Sequence, residues 1–162
     1  VKANGIAGRH VKDRLGGGES INFGPLENWL GFNLRMAQES SFGAFSRGSL
    51  EIGERPGLFA TLTLIARNPG ISQTDLSLAS RRDKSSLTPV VEDLVRRGMV
   101  TRTRMNGDRR AYCLNLTPAG RKVLTKLTRS ARRHEVKLEA IIGRRDRKRL
   151  IQILKKIVAE IA

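Results

Sequence analysis

Ile71-Ser-Gln-Thr-Asp-Leu76, Asp83-Lys-Ser-Ser-Leu-Thr88 and Asn106-Gly-Asp-Arg-Arg110 stand in that order within one run of the 162-residue chain, from Ile71 to Thr117. Ser72 is a good N-cap, and the short helix it opens, through Ala79, carries Leu76 at the spacing needed to pack on a following helix. A second helix begins near Asp83 and runs to Arg97, with Leu87, Val90, Val91, Leu94 and Val95 as its buried stripe and Gly98 as its C-cap. Met99 to Met105 and Ala111 to Thr117 read as two short strands joined by the turn Asn106 to Arg110. The order is that of a helix-turn-helix followed by a basic β-wing, an arrangement suited to holding DNA.

The residues on the outer side of this unit fit that chemistry. Lys84, Ser85, Ser86 and Thr88 occupy the start of the second helix, where short hydroxyls and a lysine reach phosphates or base edges in a major groove. The same hydroxyls also serve as helix caps. Arg102 and Arg104 extend a basic ridge along the first wing strand to Arg109 and Arg110 at the tip. An arginine on a thin hairpin suits a narrow minor groove, and Asp108 stands two residues before Arg110, where it can hold the guanidinium in register. Pro89 removes one backbone donor from the recognition helix and is expected to kink or tighten its first turns.

Composition agrees with an anionic partner. The net charge is +16 and the pI is near 11.4, which favours nucleic acid but also suits an anionic membrane or an acidic protein. Charge is unevenly distributed: residues 81–110 hold nine Lys/Arg against four Asp/Glu, whereas residues 121–149 hold twelve against three. The single cysteine, Cys113, excludes an intrachain disulfide framework, and two separated histidines leave no metal cluster. No nucleophile–base pair, metal-ligand set or phosphate loop has the required spacing, so neither an enzyme nor a cofactor is expected. No segment has 18 consecutive apolar residues, and the first twenty lack the apolar run of a secretory signal. The protein is expected to be cytoplasmic and without a membrane partner.

Outside the central run the texture changes. Residues 1–24 form a basic, Gly-rich arm that includes Gly16-Gly17-Gly18. Residues 25–54 are the first helical segment, where Leu26, Trp29, Leu30, Phe32, Met36, Phe42 and Phe45 recur at helical spacing. A further helix is expected from Arg55 to Arg67, with Pro56 in its first turn, opening a DNA-binding domain that extends to residue 120. Residues 121–162 hold two amphipathic helices separated at Gly143: Leu124, Leu127, Ala131, His134, Leu138 and Ile142 line one, and Leu150, Leu154, Ile157 and Ile161 the other. Neither stripe can remain exposed, so a partner surface is needed. His134 reads as a packed or hydrogen-bonded helix residue.

The run Asp83 to Thr88, the helix end Leu94-x-x-x-Gly98, the wing Asp108-x-Arg110 and the following Leu116-Thr117-x-x-Gly120 together resemble the MarR family of bacterial winged-helix regulators. The resemblance covers about residues 25 to 162, with its specific motifs between 71 and 120. It implies a mainly α fold with a small β-wing, an obligate homodimer with interlocked terminal helices, and a palindromic double-stranded DNA operator from which a small molecule releases the repressor. On that pattern Ser85, Ser86 and Thr88 match recognition-helix positions, Arg110 the minor-groove arginine, Asp108 its partner and Arg109 an adjacent phosphate contact. The peroxide-sensing branch uses a reactive cysteine in the first helical region, and no residue here matches it. MarR relatives include sensors of aromatic acids and of their coenzyme A thioesters. Trp29, Phe32, Met36 and Phe59, with Arg35, Arg129, Arg132 and Arg133, are accordingly the candidate pocket for an aromatic carboxylate or aromatic acyl-CoA effector. A constitutive architectural DNA-binding protein and a winged-helix protein-interaction module are the competing readings.

Overall fold

The computed structural model describes residues 21–50, 53–54, 57–105 and 108–161, and leaves out the side chains of 105–111. The chain divides into two compact units within its first long helix, between Ala44 and Phe45. In the first unit a 3-10 turn, Gly24–Asn28, precedes α1, Leu30–Leu50. The expected helix from Leu26 is therefore split. Pro25 opens the 3-10 turn and Trp29 is extended (ψ 123°), so regular α geometry starts only at Leu30 and then runs five residues beyond Phe45.

The second unit holds the end of α1, then α2 (Leu58–Arg67), β1 (Ile71–Ser72), α3 (Gln73–Ser80), α4 (Lys84–Arg96), β2 (Val100–Met105), β3 (Asp108–Leu116), α5 (Pro118–Ile142) and α6 (Arg144–Ile161). α2 starts later than expected, after Gly57 at φ 91°; Arg55 and Pro56 lie outside the described residues. Its apolar stripe, Leu58, Leu62 and Ile65, meets Leu76 of α3, Leu87, Val91 and Leu94 of α4, and Leu127 of α5 in one core. Val100, Leu114 and Leu116 close that core from the sheet.

The sheet has three strands rather than two, in the order β1-β3-β2. β1 is only Ile71 and Ser72, opposite Leu114 and Cys113, too short for any alternation to show in the sequence. The wing turn is also shorter than expected. Asp108, Arg109 and Arg110 belong to β3, with Asp108 opposite Met105; an Asn-Gly pair is enough to reverse a hairpin, and Asn106-Gly107 lie outside the described residues.

The end of α4 and the start of α5 are built together. Gly98, at φ 66°, donates its N–H to Val95 O and Met99 donates to Leu94 O, the paired bonds of a Schellman stop. This explains the spacing Leu94-x-x-x-Gly98: the two flanking apolar residues, Leu94 and Met99, are both buried. Thr117 then caps α5, accepting from Gly120 N (3.0 Å) while its hydroxyl donates to Gly98 O (2.7 Å) and its N–H to Met99 O (3.0 Å). A Cβ at Gly120 would lie 2.2 Å from Met99 O, so only glycine fits.

α6 has no buried residue; Leu150, Ile151, Ile153, Leu154, Val158 and Ile161 are exposed, as are Val136 and Ile141 on α5. Among the described residues no helix is long and apolar enough to cross a membrane. The predicted arm lies outside the description through residue 20.

Candidate nucleic-acid interface

The recognition helix is anchored by Asp83. Its Oδ1 accepts from Ser86 N (2.7 Å) and from the Ser85 hydroxyl (2.6 Å), while the Ser86 hydroxyl donates to Asp83 O (3.1 Å). The Ser85 hydroxyl and then the Ser86 N–H hold the Asp83 carboxyl below its ordinary value. Thr88 donates to Lys84 O at 2.7 Å and accepts from Gln73 Nε2 at 2.8 Å. The hydroxyls of Ser85 and Ser86 thus take part in the cap at the start of the helix. A carboxylate or carbonyl can only accept, so all three hydroxyl protons are committed inward and only lone pairs remain outward. The exposed Lys84 supplies the positive charge at this helix end. Its first-turn N–H groups point the same way.

α4 is continuous through Pro89. The bond it removes is the one to Ser85 O, and both Ser85 and Pro89 lie on the exposed side of the helix. The turn before the helix is tighter than its sequence suggests: Arg81 is left-handed (φ 50°, ψ 36°), and Ser77 fixes Arg82 by accepting its N–H and donating to its carbonyl (2.6 Å). Arg81 and Arg82 are both exposed beside the recognition helix, a placement their basic character alone does not reveal.

Strand register settles the wing ridge. Arg102 pairs with Leu114 and Arg104 with Tyr112, placing both arginines on the sheet face that carries the buried Val100, Leu114 and Leu116. They project where that face leaves the core, and both are exposed. The Arg102 guanidinium stacks on Tyr112, 4.0 Å from the ring centroid, a partner that becomes visible only with the register. The predicted pairing of Asp108 with Arg110, and the side chain of Arg109, lie outside the described residues.

At its C-terminal end the recognition helix is tied to the segment after α1. Arg97 donates from Nη2 to both Glu54 oxygens (3.0 and 2.8 Å) and approaches Asp93, which also pairs with Arg96. Glu54 raises the Arg97 pKa above its ordinary value.

These elements make up a winged helix-turn-helix, and the matches to known proteins agree with that fold. The model of the MarR family matches residues 56–112. A protein assigned as the transcriptional regulatory protein for the hcr operon of Thauera aromatica is 36% identical over 135 residues, covering 83% of this chain and 81% of that protein. The chain belongs to the MarR family. Among solved structures, the transcriptional repressor CouR bound to a 23-mer DNA duplex is 31% identical with a TM-score of 0.80, covering 86% of this chain and 99% of that one. CouR bound to p-coumaroyl-CoA is 29% identical with a TM-score of 0.77, covering 85% and 97%. This MarR protein is a DNA-binding transcriptional regulator rather than an enzyme.

The candidate effector residues fall in both units. In the first, Phe32 packs against Phe23 (5.6 Å), Arg35 pairs with Glu39 (3.0 Å), Met36 is half-buried and Trp29 is exposed. In the second, Phe59 meets Phe45 edge-on (5.9 Å) and Phe45 meets His134 (5.8 Å), which places His134 in an aromatic cluster. Arg129, Arg132 and Arg133 are exposed on the helix that carries His134. The basic surface of residues 121–149 continues to the α5–α6 corner, where Arg144, Arg145, Arg147 and Lys148 line an open concavity with Glu139. Cys113 is a free thiol in β3.

Proposed function

We propose that this MarR protein is a homodimeric repressor that grips a palindromic operator with two winged helix-turn-helix lobes and is released by an aromatic acid or its coenzyme A thioester. The observation carrying this reading is the similarity, across nearly the full length of CouR, to a repressor solved with DNA and with p-coumaroyl-CoA. Lys84, Ser85, Ser86 and Thr88 take the major groove, Arg110 with Asp108 the minor groove, and Arg102, Arg104 and Arg109 the flanking phosphates. The apolar face of α6 supports dimerisation, since six large aliphatic side chains exposed on one helix call for a partner surface. In the second unit the cluster Phe45, Phe59 and His134 supplies aromatic wall; in the first unit Trp29, Phe32 and Met36 are separate apolar candidates. Arg129, Arg132 and Arg133 on α5 supply charge for a carboxylate or for coenzyme A phosphates, and Arg35 is the cationic candidate of the first unit.

The test is a fluorescence-anisotropy titration on a palindromic duplex from upstream of the protein's own gene, against a random duplex, then with aromatic acids and their CoA thioesters. Selective binding lost on adding one compound is the expected result. Equal binding to both duplexes, unmoved by every compound, would favour an architectural protein.

A further inference from the structure

Gln73 lies outside the recognition helix and carries no assigned role, yet its amide is fixed beside that helix's outer face. It is the first residue of α3, it is half-buried, and its Nε2 donates to Thr88 Oγ1 at 2.8 Å. Thr88 is held in turn by donating to Lys84 O at 2.7 Å. A primary amide has two N–H donors and one carbonyl oxygen. With one N–H on Thr88, the second N–H and Oε1 remain, and no other bond among the described residues engages them.

That remaining pair, one donor beside one acceptor, is the edge that complements adenine N7 and N6 in a major groove. The neighbouring hydroxyls lack such a pair, because Ser85, Ser86 and Thr88 have already given their protons to Asp83 and Lys84. Among these polar groups, the amide of Gln73 alone retains both functions. A side chain anchored at one N–H also loses little rotamer freedom on binding. We infer that Gln73, held by Thr88, is a specificity-determining residue that reads an adenine in each half-site. Thr88 is then chiefly a positioning residue. The inference rests on the sequence-selective DNA binding proposed above.

The experiment selects bound duplexes from a random pool with the wild type, Gln73→Met and Thr88→Val, each first checked for an unchanged urea-unfolding midpoint. The wild-type motif should hold an A·T pair at one position per half-site. Gln73→Met should keep the rest of the motif and accept any pair there, and Thr88→Val should weaken the preference at that position alone. Replacing that adenine with 7-deazaadenine should lower wild-type affinity about tenfold and leave Gln73→Met unaffected. A Gln73→Met motif identical to a well-defined wild-type motif overturns the inference alone. A wild-type pool with no enriched motif overturns the selective-repressor reading and the inference with it. If the midpoint of either variant falls, Gln73→Glu, which keeps the acceptor and loses the donors, replaces it; preserved adenine preference in that variant also overturns the inference.

Discussion

Replacing Gly120 with alanine is expected to be among the most damaging single-methyl changes in the chain. The added Cβ would lie 2.2 Å from Met99 O and 2.8 Å from Leu116 Cδ1. The leucine methyl can turn aside, but the carbonyl is backbone, fixed by Thr117 N at 3.0 Å. Restoring van der Waals distance requires the start of α5 to retreat from the end of α4 by about an ångström. That retreat strains the N-cap bond from Gly120 N to Thr117 and the hydroxyl bond from Thr117 to Gly98 O. A lost cap costs about 1 kcal/mol, a lost hydrogen bond about 1 kcal/mol, and overpacking about 1–3 kcal/mol, so a loss of roughly 3–5 kcal/mol follows if these add. Urea unfolding followed by circular dichroism reads it as a fall in midpoint at constant slope. A loss below about 1 kcal/mol would mean that the α4–α5 junction is soft, and would refute the close-packing argument.

Other consequences are smaller and separable. Gly98→Ala puts a side chain at φ 66° and should cost about 1 kcal/mol in the same unfolding assay. Glu54→Gln removes one charge from the bidentate pair with Arg97; because Arg97 is partly exposed, a loss of about 1–2 kcal/mol is expected, with a double-mutant cycle against Arg97→Met showing the coupling. Asp83 has a lowered pKa in the folded state, so its cap stabilises fully above the unfolded carboxylate value. That contribution is lost as pH falls through the lower folded value, and the difference in unfolding midpoint between wild type and Asp83→Asn should shrink at acid pH. Tyr112→Leu removes the ring beneath Arg102 and should weaken DNA binding about two- to fivefold, whereas Tyr112→Phe should not; equal losses in the two would argue against the stacking role.

What the sequence disclosed was local. Ser72 caps α3 through a residue three positions on and Gly98 closes α4 within a single turn, so short-range chemistry made these two boundaries readable; Asp83 and Thr117 cap in the same way, but the sequence marks them only as a helix start and a strand end. The stripes of α4 and α5 were equally plain because 3.6-residue periodicity needs no partner to be seen. Tertiary pairing was what remained hidden. β1 exists only because β3 offers it an edge, Glu54 meets Arg97 across 43 positions, and Tyr112 underlies Arg102 through a register that no alternation pattern specifies. In the candidate site, residue types suggested that Ser85, Ser86 and Thr88 face DNA, but only geometry reveals that their protons are already spent on Asp83 and Lys84.

That commitment bears on how a signal could reach DNA. The recognition helix is held at its start by the Asp83 cap and the Gln73 amide, and at its end by Glu54 and by Thr117. Glu54 is tied to the end of α1, its N–H bonded to Ser49 O, and Thr117 opens α5. With both ends tied, bending α4 alone would break several bonds, each worth about 1 kcal/mol, whereas carrying it as a body with α3, the end of α1 and the start of α5 breaks none of them. Movement transmitted through those two long helices would therefore displace the reading surface intact. If the protein is the dimeric repressor proposed above, a displacement of a few ångströms would mismatch both half-sites of its operator together, and release of DNA would require neither dissociation of the dimer nor melting of the recognition helix.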